Sequence, residues 1–141
     1  MTKLKIIAAA GACLLLSATA ADAGILHYRA NLRGAAESPP NPTNARGEVV
    51  AVLDTDRRTF DYTVTYSGLS GPIEVAGFKQ PNSPPDDPIN TAPAGAVMIH
   101  AVVQLTAEQI TDLNASRWIF DISTRANPGG EIRGKVVRSS D

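Results

Sequence analysis

The sequence has only two imidazoles, His27 and His100, and with a neighbouring carboxylate they would be its best ligands for a transition metal. Each falls in an alternating stretch, on the side opposite the clearest apolar set, although His100 lies in a run that is nearly all apolar. Nothing in their spacing requires them to meet, so each reads as a structural histidine, hydrogen-bonded or solvated. Asp86-Asp87 could offer oxygens to a hard cation such as Ca²⁺, but a calcium loop carries denser ligands, and the pair reads as solvated. No serine sits in a nucleophile elbow, and no glycine-rich phosphate loop follows a strand. No catalytic residue, metal or cofactor is expected. Asn114-Ala115-Ser116 matches a glycosylation sequon and reads as accidental, because the short, alanine-rich N-terminus looks bacterial.

A second group of polar residues gathers near the C-terminus. Glu131, Arg133 and Lys135 alternate, and so share one face of a strand. The plain reading is cross-strand pairing with Asp121 and its neighbours, worth about 0.2–1 kcal/mol per pair. The sharper reading is a recognition patch beside the turn Asn127-Pro128-Gly129-Gly130, whose backbone N–H groups could hold an anion. Taken with two long loops, the candidate binding surface comprises Glu37, Asp86, Asp87, Arg125, Asn127, Glu131 and Arg133.

The elements that must position these groups are strands. Alternation is clearest over residues 59–67, where Phe60, Tyr62, Val64 and Tyr66 oppose Thr59, Asp61, Thr63, Thr65 and Ser67. A strand over 48–53 precedes it across a polar turn, giving a hairpin. Further strands are expected over 25–32, 73–78, 118–123 and 131–138. The run 96–105 is expected to be a central strand covered on both sides. Pro128 and Gly129 fit the two central positions of a type II turn. One helix is expected over 107–115, with Thr106 and Gln109 forming a capping box and Ile110 and Leu113 an apolar stripe. Residues 35–46 and 80–95 are proline-bearing loops, the second longer than most connections. About seven short strands predict an all-β, antiparallel, Ig-like sandwich of Greek-key type with one short helix.

Residues 1–23 have the pattern of a signal peptide: Lys3 and Lys5, an apolar stretch from Ile6 to Leu16, then Ala21-Asp22-Ala23 as a cleavage site. The apolar stretch is too short to span a bilayer. Cleavage would leave a single domain, residues 24–141, carrying 11 basic and 13 acidic residues and no cysteine, since Cys13 lies in the removed part. Without a basic run, nucleic acid is a poor partner. Disulfides, thiol catalysis and thiolate metal sites are excluded for the cleaved chain. The expected location is periplasmic or extracellular.

Five short motifs resemble the CHRD (chordin) domain family, in its order, across residues 25–138. They are Leu32-Arg33-Gly34-Ala35-Ala36-Glu37-Ser38-Pro39-Pro40, Asn44-Ala45-Arg46-Gly47, Gly68-Leu69-Ser70-Gly71-Pro72, Leu105-Thr106-Ala107-Glu108-Gln109 and Asn127-Pro128-Gly129-Gly130-Glu131-Ile132-Arg133-Gly134. The resemblance implies a secreted β-sandwich module, found singly in bacteria and repeated in animal chordin, which binds growth factors. It supplies no defined activity for the bacterial members. Family members usually carry Ala-His-Ile-His-Gly on the strand after the Gly-Leu-Ser-Gly-Pro turn. This chain has Val75-Ala76-Gly77-Phe78-Lys79-Gln80 instead, and Phe78 and Lys79 cannot supply a paired-imidazole metal site. The expectation is an exported, non-enzymatic module that binds an extracellular or envelope protein or glycan. The alternative, by fold analogy alone, is a metal-dependent redox enzyme resembling superoxide dismutase.

Overall fold

The computed structural model describes residues 24–81 and 97–140. The strands are β1 (Ile25–Arg33), β2 (Arg46–Asp54), β3 (Thr59–Ser67), β4 (Ile73–Lys79), β5 (Ile99–Gln104), β6 (Ile119–Thr124), β7 (Ile132–Lys135) and β8 (Val137–Ser139). One helix, α1 (Ala107–Asn114), lies between β5 and β6, and a single 3₁₀ turn (Gly34–Ala36) follows β1. Strands pair antiparallel in the order β4-β6-β7-β1-β2-β3-β5, with β8 also on β1. The expected antiparallel strands and short helix are therefore present. They are joined in one continuous hydrogen-bonded path, where an Ig-like sandwich would have two separately paired sheets.

That sheet is curled. β3 and β4 are five steps apart along the path, yet the rings of Tyr62 and Phe78 lie 4.7 Å apart, edge to face. Phe78 also packs on Phe60 at 5.5 Å and on Phe120 at 4.8 Å, and Phe60 on Trp118 at 5.8 Å. These rings, with Tyr28, are almost fully buried. Period two places them all on the concave side, because successive strand side chains alternate faces, and edge-to-face packing adds to the area that they bury. The four rings expected in the core, Phe60, Tyr62, Trp118 and Phe120, are all there.

Three local expectations are corrected. The apolar run expected over 96–105 contains β5, which among the described residues is an edge strand and not a central one: Val97, Met98 and Val102 are exposed, and His100 faces outward to Asp61 at 3.0 Å. An apolar run marks a fully covered strand only if a layer lies on each side, and β5 has its covered face on the core alone. The expected strand over 131–138 is broken at Val136, which is buried and donates to Trp118 O at 2.9 Å, so that β7 pairs with β6 and β8 with β1. The turn at 127–130 closes through Gly130 N to Asn127 O at 3.0 Å, but the positive φ (121°) falls on Gly130 and not on Gly129, so it is not type II.

The capping box forms as read. Thr106 Oγ1 accepts from Gln109 N at 3.1 Å, and Thr106 N donates to Gln109 Oε1 at 2.9 Å. Leu113 is buried, and Tyr28 Oη donates to Asn114 Oδ1 at 2.6 Å, tying α1 to β1. The N-terminal segment 1–23 and Asp86-Asp87 lie outside the described residues. Among the described residues no helix is long and apolar enough to cross a membrane.

Candidate functional site

The convex face of β6 and β7 carries the residues of opposite parity to the core rings. Register puts Asp121 opposite Arg133 and Ile119 opposite Lys135. On the flanking β4, Lys79 has the same parity, and its Nζ reaches Asp121 Oδ2 at 3.2 Å. Arg133 donates to that oxygen twice, from Nη2 at 2.8 Å and from Nε at 3.2 Å. The expected pairing of Arg133 with Asp121 is thus present, and it is buried: Asp121 is 4% exposed.

A second carboxylate joins from the segment between β1 and β2. Just after the 3₁₀ turn, Glu37 folds back with its N–H on Gly34 O at 3.1 Å, and its Oε2 lies 3.0 Å from Arg133 Nε. Expected on an accessible surface, Glu37 is in fact buried. Its Oε1 is buried without a hydrogen-bond partner. Desolvation, then the facing charge of Asp121, pushes its pKa up to about 7, although Arg133 and Lys79 oppose the rise. The guanidinium is therefore fixed by two buried carboxyl groups through Nε and Nη2. Among the described residues nothing accepts from its Nη1.

Glu131 does different work. Wholly buried, it gathers three loops: Oε1 accepts from Ser70 N at 2.9 Å, Asn127 Nδ2 at 3.1 Å and Thr43 Oγ1 at 3.4 Å. A buried carboxylate is tolerated when its lone pairs are satisfied in this way. Asn41, which the sequence reading did not single out, seats the 35–45 segment on the β6–β7 turn. Its Nδ2 donates to Glu131 O at 2.8 Å and Gly130 O at 3.2 Å, while its Oδ1 accepts from Thr43 N. The available signal was Asn41 ahead of Pro42, a pattern favouring a side-chain turn.

Arg125 stands apart on the solvent side, its side chain 89% exposed and paired to Glu74 at 3.4 Å. Of the expected surface, Glu37, Asn127, Glu131 and Arg133 come together, and Arg125 does not. His27 pairs in register with Val52 on β2, whereas His100 sits on β5. Two whole strands, β2 and β3, separate them, roughly 14 Å by strand spacing, too far for both to ligate one ion. Among the described residues no group of three His, Cys, Asp or Glu could hold a metal.

Beside Arg133 the convex face opens into a cleft of about 480 Å³. Ala36, Pro81, Arg117, Ile119, Gly134 and Lys135 line it with Arg133. Arg117 is itself held, its Nη1 on Asp112 Oδ1 at 3.0 Å. What the arrangement offers chemically is N–H donors beside a partly apolar lining.

The CHRD domain family model matches residues 28–136 of the chain. No curated protein and no solved structure matches it.

Proposed function

Because the chain belongs to the CHRD domain family, we propose that it is an exported, non-enzymatic module that binds an extracellular or envelope protein or glycan through the convex face around Arg133. One observation carries the reading: Arg133 is locked by Glu37 and Asp121 and lines an open cleft, with nothing among the described residues accepting from its Nη1. Side chains that present a charge from a rigid strand suit recognition, because little conformational freedom is lost on binding. Lys3 and Lys5, the apolar stretch after them and the Ala21-Asp22-Ala23 site support export to the periplasm or beyond. We infer too that the fold is a variant of the Ig-like Greek-key sandwich in which the two layers are joined into one sheet, and the packing of Tyr62 against Phe78 across the curled sheet supports this.

The test has two parts. Mass spectrometry of the protein recovered outside the cytoplasm should give a chain beginning at Gly24. That exported protein, immobilised, should retain a defined envelope glycan or protein, and Lys135→Glu should release it while leaving the circular-dichroism spectrum unchanged. A stoichiometric transition metal in the purified protein, or retention untouched by changes on this face, would overturn the reading.

A further inference from the structure

We propose that the cleft bordered by Arg117, Arg133 and Lys135 binds a carboxylate group carried on a small, largely apolar body. The inference rests on the binding-module reading above and adds the ligand's chemistry.

Three cations border the cleft from different elements: Arg133 and Lys135 from β7, and Arg117 from just beyond α1. Their neutralisation is incomplete. Arg117 has Asp112 at 3.0 Å, and Arg133 pairs with Glu37 and shares Asp121 with Lys79. Lys135 pairs with no acidic group among the described residues. Backbone carbonyls at a helix C-terminus would repel an anion, but here they are engaged. Thr111 O accepts from Ala115 N, Leu113 O from Ser116 N and Asp112 O from Arg117 N, each at 3.0 Å. An anion at the mouth therefore meets donors, with the nearest carbonyls already used.

The rest of the lining sets the body of the ligand. Ala36, Pro81, Ala115 and Ile119 are apolar, and Gly134 adds a bare backbone surface. A volume of about 480 Å³ falls in the range of small-molecule sites, which pair an apolar lining with a few fixed polar groups. With Nε and Nη2 of Arg133 held by Asp121 and Glu37, its Nη1 is the donor left for a ligand, and an ionised acceptor such as a carboxylate makes the stronger hydrogen bond with it. Lys135 supplies a second, adjustable donor.

The probes are benzoate and hexanoate as free acids, glucuronate as the acid unit of a glycan, and benzyl alcohol and inorganic phosphate as controls, each titrated into the exported protein by two-dimensional NMR. We expect a carboxylate to shift the amides of Ala36, Ser116, Ile119 and Lys135 with saturation, and benzyl alcohol to bind at least about tenfold more weakly, the equivalent of one charge-assisted hydrogen bond. Arg117→Gln and Lys135→Gln lie at the exposed rim, and each should weaken the carboxylate about three- to tenfold with the rest of the spectrum unchanged. Saturation by benzoate or hexanoate supports the proposal, and saturation by glucuronate alone overturns the apolar body that it assigns to the ligand. The proposal fails if no carboxylate shifts these amides, if benzyl alcohol or phosphate binds as well, or if a variant carrying both Arg117→Gln and Lys135→Gln binds unchanged. Failure here with envelope retention intact sinks the cleft alone, and loss of both sinks the binding-module reading with it.

Discussion

Arg133 Nε lies 3.0 Å from Glu37 Oε2, across a junction where the segment between β1 and β2 closes over the convex face of β7. This single contact joins the loop-borne carboxyl group to the strand-borne network of Asp121 and Lys79. Since Glu37 is buried and only one of its oxygens is paired, its protonation state governs how strongly that junction holds.

A pH dependence follows. The Glu37 carboxyl group, pushed up to about 7 from its ordinary 4.5 by burial first and Asp121 second, keeps its proton in the folded state where the unfolded chain has released it. The folded state then binds more protons within that window, so stability falls as pH rises through it, and the contribution is complete only below the lower value. The groups facing Glu37 are Asp121 from β6, Arg133 from β7 and Lys79 from β4. Urea unfolding should show about 2–3 kcal/mol more stability near pH 5 than near pH 8. Glu37→Gln, which keeps an acceptor for Arg133 and removes the titration, should flatten most of that difference. An unchanged slope in the variant would mean that another group sets it.

Glu131→Ala should be more damaging than its place beside a turn suggests. The change strands Ser70 N and Asn127 Nδ2, both donors to the wholly buried Glu131 carboxylate. Unsatisfied buried donors and the lost charge-assisted bonds together should cost about 2–4 kcal/mol. The measurement is the chemical-denaturation midpoint, with hydrogen exchange expected to quicken at Ser70 and Asn127 before it does in β1 or β2.

The strands and helix were legible because each has a local cause. Alternation at 59–67 reports one wet and one dry face, and Thr106 with Gln109 satisfies the first N–H groups of α1 without help from elsewhere. What escaped the sequence was whatever depends on partners far along the chain. The apolar run ending in β5 looks the same on an edge as in the centre, and only the strand order decides between them. Glu37 and Glu131 read as surface acids because their burial comes from loops laid over them: Glu131 Oε1 meets Ser70 N, 61 positions away. The alternation of Glu131, Arg133 and Lys135 was visible, but that Arg133 would be shared between Asp121 and Glu37 was not.

Helix α1 gives a local test. Removing the Thr106 hydroxyl leaves Gln109 N without its 3.1 Å acceptor, so Thr106→Ala should cost about 1 kcal/mol in thermal or urea unfolding. Thr106→Ser should restore most of it. A variant as stable as the parent would show that α1 is held by Leu113 and the Tyr28–Asn114 hydrogen bond alone.

Gly129 and Gly134 lie five positions apart and should respond to the same substitution in opposite ways. A Cβ on Gly129 would meet nothing within 4 Å, and its φ is not positive, so Gly129→Ala should leave stability within about 0.5 kcal/mol. A Cβ on Gly134 would be driven into the backbone oxygen of Asn31 on the neighbouring β1, with Leu32 Cδ2 close behind at 3.1 Å. Backbone cannot swing aside as a side-chain tip can, so β7 would have to separate from β1 or shift along it. Gly134→Ala should therefore cost at least about 3 kcal/mol or prevent folding outright, by the same overpacking that penalises added methyl groups in cores. Paired expression and thermal unfolding of the two variants decide the matter. Equal stability would mean that β7 does not approach β1 as closely as the register at Arg33 and Arg133 requires.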